Sequence, residues 1–128
     1  MTLFSRIIAG ELPAQFVWED EACVAFLSIN PLSEGHTLVV PRLEIDDWLL
    51  CPDGLRDHLF SVSAAVGRAI RTAFAPARVG LVVAGFEVPH LHVHVFGVGG
   101  LPDFDFRQAG TATQETLAPV ADRLRAAL

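Results

Sequence analysis

The sequence predicts an α+β fold: an antiparallel sheet of about five strands, with one long central helix and a C-terminal helix packed on it. Two observations carry that expectation. Strand-like runs follow one another through short connections, which favours antiparallel pairing. A helical apolar stripe about twenty residues long then separates two strand-rich halves. The chain has 128 residues, the size of one ordinary domain, and no linker-like boundary divides it. Residues 1–128 are therefore read as a single domain.

The elements follow in order. Leu3 to Ala9 forms a short helix closed by Gly10, with Pro13 soon after. QFVWED and CVAFLSI read as two strands of a hairpin joined across Asp20-Glu21. Asn30-Pro31 makes a turn, because a residue before proline is pushed out of the helical region. GHTLVVP is a further strand, ended by Pro41. Leu55, Leu59, Val62, Val66, Ile70 and Phe74 recur at spacings of three and four, so Leu55 to Phe74 is a helix with one apolar stripe. Asp53 is its expected N-cap, and Pro76 ends the pattern. VGLVVAG is a short apolar strand, and HLHVHVF is expected to follow as the next one. Gly97 to Gly110 reads as the one long irregular stretch, of the kind that borders sites. Leu117, Val120, Leu124 and Leu128 line one side of a last helix, which Pro119 either delays or kinks.

Composition excludes several classes. Apolar residues make up 52% of the chain, which excludes disorder as its main state. A net charge of −6, with no Lys and nine scattered Arg, argues against nucleic acid as a partner. No apolar run approaches the ~20 residues that span a bilayer, and the N-terminus lacks a signal-peptide pattern. Cys23 and Cys51 have no CxxC spacing and are read as buried thiols. The expectation is a soluble cytoplasmic protein without a membrane partner.

The chemistry concentrates in HLHVHVFG, where His90, His92 and His94 stand at every second position. Extended backbone places these three on one face and Leu91, Val93 and Val95 on the other. The second set is ordinary core, so the histidine face is expected to look toward solvent or a cleft. Residues i and i+4 of a strand lie roughly 13 Å apart, and zinc takes imidazole nitrogens at about 2.0–2.1 Å. His90 and His94 therefore do not share one ion, although two neighbours with His36 would make a three-histidine site. The other reading is catalysis by imidazole: near its usual pKa of about 6.5 the ring offers an uncharged nucleophilic nitrogen at neutral pH. Attack on phosphorus splits one displacement into two, and flanking histidines donate to the phosphoryl oxygens.

His-x-His-x-His followed by two apolar residues resembles the signature of the histidine-triad (HIT) family. FSRIIAGELPA resembles that family's opening helix, FLSINPLSEGHTLVVPR its central strand pair, and AGFEVPHLHVHVF a compact bacterial form of its motif region. The resemblance implies a HIT-like fold and a hydrolase or transferase of nucleoside monophosphate derivatives, working through a covalent nucleotidyl-histidine. Phosphoramidates and dinucleoside polyphosphates are the implied substrate types. By the same resemblance His92 is the nucleophile, the His90 carbonyl orients its ring, His94 contacts the α-phosphate and His36 completes the cluster. Phe4, Ile7, Leu12, Phe26 and Ile29 resemble the residues that wall a purine-type nucleobase. A homodimer is implied, and no cofactor or metal.

Three positions depart from the family pattern. Ser28 stands where an Asp usually grips both ribose hydroxyls, and a neutral hydroxyl makes weaker bonds than a carboxylate. Ala84-Gly85-Phe86-Glu87 replaces a stretch that supplies donors to phosphate and leaving group; Glu87 is either a proton carrier or a turn cap. Leu3 to Ser5 replaces the Cys pair that some members use for zinc. These departures leave a nucleotide-binding or regulatory protein with little turnover as the alternative, and a histidine-ligated metal hydrolase as a third reading.

Overall fold

A computed structural model describes residues 1–128. The elements run α1 (Leu3–Ile8), β1 (Phe16–Glu19), β2 (Cys23–Leu27), β3 (Thr37–Pro41), α2 (Asp53–Phe74), β4 (Arg78–Val82), β5 (Val93–Val98) and α3 (Gln114–Ala127). The five strands form one sheet in the order β1-β2-β3-β5-β4, and every pairing is antiparallel. This is the α+β fold expected from the sequence.

Two faces of the sheet are covered, and strand alternation decides which side chains go to each. Cys23, Ala25 and Leu27 of β2, Val39 of β3 and Val93 and Val95 of β5 point toward α2 and α3. There they meet Leu59, Val62, Val66, Ala69 and Ile70 of α2, and Leu117, Ala121 and Leu124 of α3. Each such apolar side chain contributes roughly 1.5–3 kcal/mol on burial. The opposite residues, Val24, Phe26, Leu38 and Val40, form a smaller cluster with Phe4 and Ile7 of α1. Double coverage explains why β2, β3 and β5 are buried at every position rather than at alternate ones. Cys23 and Cys51 are both buried, free thiols, as expected. No helix is long and apolar enough to cross a membrane.

Five local expectations need correction. Pro52, not Asp53, is the N-cap of α2, and no side chain caps that end; Asp53 is the first helical residue, where its charge favours the helix N-terminus. At the other end Ala75 takes the left-handed conformation, φ 49°, before Pro76. Of the two alternatives for Pro119 the late start is overturned: the helix begins five residues earlier at Gln114, fixed by a Thr113–Thr116 capping box, with Pro119 inside it. Pro119 and Glu115 are both exposed, so the carbonyl deprived of its donor meets water. Leu128 lies outside the core, 44% exposed, because α3 ends at Ala127. Finally, β5 begins only at Val93. Residues 83–92 form a loop in which the Leu91 N–H bonds the Ile45 carbonyl instead of a sheet neighbour. The stretch after β5 is also less irregular than expected, holding 3-10 turns at Leu101–Phe104 and Phe106–Gln108.

Candidate functional site

His94 is a strand residue of β5, paired in register with Leu38 of β3 and Val82 of β4 at the sheet centre. Its side chain lies on the α1 face, opposite Val93 and Val95. His90 and His92 precede the strand, yet the extended chain keeps their rings on that same side. The His92 and His94 ring centroids are 5.0 Å apart, and Phe4 of α1 stands edge-on to both His90 and His92, at 5.8 and 5.0 Å. His36, just before β3, joins from the neighbouring strand. The four candidate histidines thus form one row on one face.

The hydrogen bonds fix where each imidazole carries its proton, because several partners have only one role. The Leu32 N–H donates to Nδ1 of His36 at 3.0 Å, so Nε2 of His36 carries the hydrogen of the neutral ring. That Nε2 donates to Nδ1 of His94 at 3.0 Å, and the remaining proton of His94 is left on Nε2. Nδ1 of His92 donates to the His90 carbonyl at 2.7 Å, which leaves the lone pair of His92 on Nε2. His90 is held on both sides: Nε2 donates to the Pro41 carbonyl at 2.8 Å, and Nδ1 accepts from the Thr2 hydroxyl at 2.6 Å. Burial keeps the relay neutral. It lowers the His36 pKa to about 4, and with the nearby His36 and His92 it lowers that of His94 to about 3.

The product of these bonds is one free lone pair, on Nε2 of His92, beside one free N–H, on Nε2 of His94. Both atoms are buried and have no partner. A buried polar atom without a partner costs about 1–3 kcal/mol, which is sustained where a ligand supplies the missing bond. The two groups suit an electrophilic centre carrying an oxygen acceptor.

The expectation of an open histidine face is corrected. His90, His92 and His94 are 0%, 1% and 4% exposed. Phe4 covers one side. Phe106, from the 3-10 turn after β5, covers the other, 4.8 Å from the His94 ring and 6.4 Å from His36. Over Nε2 of His92 lies the carboxylate of Glu87, 3.9 Å away, on a side chain 61% exposed. The cover is a surface loop rather than core. A cavity of about 250 Å³ reaches His92 beside it, lined by Asp46, Asp47, Trp48, Val83, Ala84, Gly85 and Leu91.

Of the other candidate residues, Phe4, Ile7, Leu12 and Phe26 come together in the α1-face cluster. Ile29 does not join them and is 52% exposed. Ser28 is buried beside the site; its N–H bonds the His36 carbonyl, and its hydroxyl accepts from the Asn30 N–H at 3.1 Å. Sequence reasoning missed Phe106, Thr2 and the Asp46–Trp48 wall. The two aromatics of LPDFDFRQ, set in a Gly-rich polar loop, were the available signal for Phe106.

Two clusters have metal-ligand residue types. Glu87, His92 and His94 place ligand atoms within 4.8 Å of one another, as do Asp20, Cys23 and His58. In the first, a cation needs a lone pair where His94 holds its N–H, and moving that proton would set His36 against the Leu32 N–H. In the second, Asp20 already accepts from Trp18 Nε1, the Ala22 and Cys23 amides and His58 Nε2 at 2.7–2.8 Å. Burial first, then the Asp20 charge, pushes the Cys23 thiol up to about 12, so it keeps its proton. Neither donor set favours a metal, and the second is a clasp for the β1–β2 turn.

Sequence and fold both resemble those of known proteins. Residues 9–99 match the HIT domain. The Bacillus subtilis "Protein hit" is 37% identical over 98 residues, covering 73% of this chain and 68% of that protein. Arabidopsis thaliana adenylylsulfatase HINT3 is 32% identical over 98 residues, covering 73% of this chain and 50% of that longer protein. A hypothetical histidine triad nucleotide-binding protein from Sulfolobus tokodaii superposes with a TM-score of 0.84 at 30% identity, over 97% of this chain and 89% of that one.

Proposed function

The chain belongs to the HIT domain family, whose members include nucleotide-binding proteins and hydrolases, and on that premise we propose a nucleotide hydrolase or transferase acting through His92. The observation that carries this reading is the proton arrangement: Nδ1 of His92 donates to the His90 carbonyl, so Nε2 holds an unpartnered lone pair next to the N–H of His94. Nε2 of His92 attacks the α-phosphorus of a nucleoside monophosphate derivative. The bond to the leaving nitrogen or oxygen breaks, and its electron pair leaves with that atom, which takes up a proton from solvent. Water then attacks the phosphorus and gives a proton back to solvent, the histidine–phosphorus bond breaks with its electron pair on Nε2, and nucleoside monophosphate departs. The His94 N–H faces the phosphoryl oxygen through both steps, where one donor is worth roughly 10²–10³ in rate.

Phe4, Ile7, Leu12 and Phe26 supply the apolar surface for a purine-type base, and Ile29 stands apart from it. Ser28 meets the ribose. The whole chain, 1–128, acts as one HIT domain in the cytoplasm, without a cofactor and as a homodimer. The exposed edge strand β4 supports the last point, because its free backbone groups suit pairing with a second copy.

One observation favours a second reading, a nucleotide-binding or regulatory protein with little turnover. Glu87 lies over Nε2 of His92, and a carboxylate there repels phosphate until its loop moves. A substrate panel separates the two. Hydrolysis of a nucleoside phosphoramidate or dinucleoside polyphosphate that disappears in His92→Ala supports the enzyme. Calorimetric binding of AMP by a protein that turns over no member of the panel supports the second.

A further inference from the structure

The proposed chemistry leaves the departing group unassigned, and the cavity beside His92 bears on it. Its lining brings Asp46 and Asp47 to one wall, with Trp48 next to them, and contains no Lys or Arg. One oxygen of Asp47 accepts from the Leu49 N–H at 3.0 Å, so the other stays free. Glu87 lies outside that lining, with its carboxylate 3.9 Å from Nε2 of His92. Exposed acidic residues alone would mean little. Here they border a space whose wall includes a ring 1% exposed, with a buried nitrogen lacking any partner.

We propose that this cavity receives the leaving group and selects amines carrying a second positive charge, so that the preferred substrates are nucleoside phosphoramidates of diamine type. The inference rests on the reading of His92 as the group that attacks phosphorus. Its physical basis is charge. A nucleotide or polyphosphate leaving group would carry anionic oxygens into a space lined by two carboxylates and no cation. An ammonium group meets the opposite field, and the Trp48 ring adds a face that attracts cations. In the transfer step the phosphorus–nitrogen bond breaks with its electron pair on nitrogen, which takes up protons from solvent and leaves as an ammonium. The carboxylates then hold a departing group whose positive charge has grown.

The test compares kcat/KM for three adenosine 5′-phosphoramidates of similar length, bearing aminoethyl, propyl and carboxyethyl arms. The expected order is aminoethyl, then propyl, then carboxyethyl, with each step several-fold and the whole span about tenfold or more, as two partly solvated charges allow. In the Asp46→Asn, Asp47→Asn variant the aminoethyl-to-propyl ratio falls toward one. Asn at 47 preserves the cap on the following turn, so the comparison is not one of stability. Equal rates for the three compounds in the wild type, or an order that persists in the variant, overturn the assignment of the cavity while leaving His92 chemistry intact. Absence of turnover with all three, or turnover that survives His92→Ala, overturns the reading of the site and this inference with it.

Discussion

Nε2 of His36 lies 3.0 Å from Nδ1 of His94, and through that contact a backbone amide five residues before β3 determines where an imidazole of β5 carries its proton. The relay runs from the Leu32 N–H through His36 to His94 and ends in an unpartnered N–H. A separate bond, from His92 to the His90 carbonyl, ends in an unpartnered lone pair. Opposite protonation of neighbouring rings is thus built by main-chain groups that cannot change role.

The first prediction concerns those tautomers. Nitrogen NMR of the labelled protein at pH 7 is expected to show His92 protonated on Nδ1 and His94 on Nε2. In His36→Phe the donor to His94 is gone and its tautomer preference is lost, with kcat reduced about tenfold, less than the 10²–10³ for outright loss of a donor. An unchanged His94 spectrum in that variant would contradict the relay.

Stability is expected to fall on mild acidification. His36 and His94 stay neutral in the folded chain down to about pH 4 and about pH 3. In the unfolded chain an imidazole takes its proton near pH 6.5, so below that pH the unfolded state binds more protons. Folding free energy is therefore constant in this respect above about pH 6.5 and decreases through the window down to about pH 4. The loss by pH 4 is on the order of 3 kcal/mol for each of the two histidines, read by urea unfolding at each pH. A flat profile between pH 6.5 and 4.5 would contradict the buried neutral pair.

Glu87 makes a third case. Its carboxylate faces Nε2 of His92 at 3.9 Å from a largely exposed side chain. Glu87→Gln removes the charge while keeping the shape, and kcat/KM for an anionic phosphoanhydride substrate is expected to rise a few-fold, more at low salt. A fall in kcat instead would assign Glu87 the proton delivered to the leaving group.

Packing beside the site supplies a fourth. A Cβ on Gly97 of β5 would stand 2.8 Å from Cβ of Pro76, whose ring has little freedom to give way. Gly97→Ala is expected to cost roughly 1–3 kcal/mol in chemical denaturation. A value near zero would mean that the α2–β4 connection is softer than the structure shows.

Legibility followed periodicity. The α2 stripe from Leu55 to Phe74 and the Leu91, Val93, Val95 alternation point to the core as their spacing requires, and the histidines share one side by the same rule. What escaped were contacts made between distant segments. Phe106 and Phe4 close over the histidine row from residues far along the chain, so the open face that alternation alone implied is covered. Loop 83–92 breaks away before β5 because Leu91 bonds Ile45, a pairing with no local signature. Thr2 on His90 and the Asp46–Trp48 wall are of the same kind. Single polar residues carry no periodic signal, and only the tertiary fold brings them to the site.

The central claim is that Nε2 of His92 forms a bond to phosphorus. Its most direct test is intact-mass measurement under alkaline quench after mixing the protein with an adenosine phosphoramidate, followed by peptide mapping. The expected result is a gain of one adenylyl group on the peptide containing His92, absent in His92→Ala. Turnover without any adduct, or an adduct on another residue that survives in His92→Ala, would contradict it.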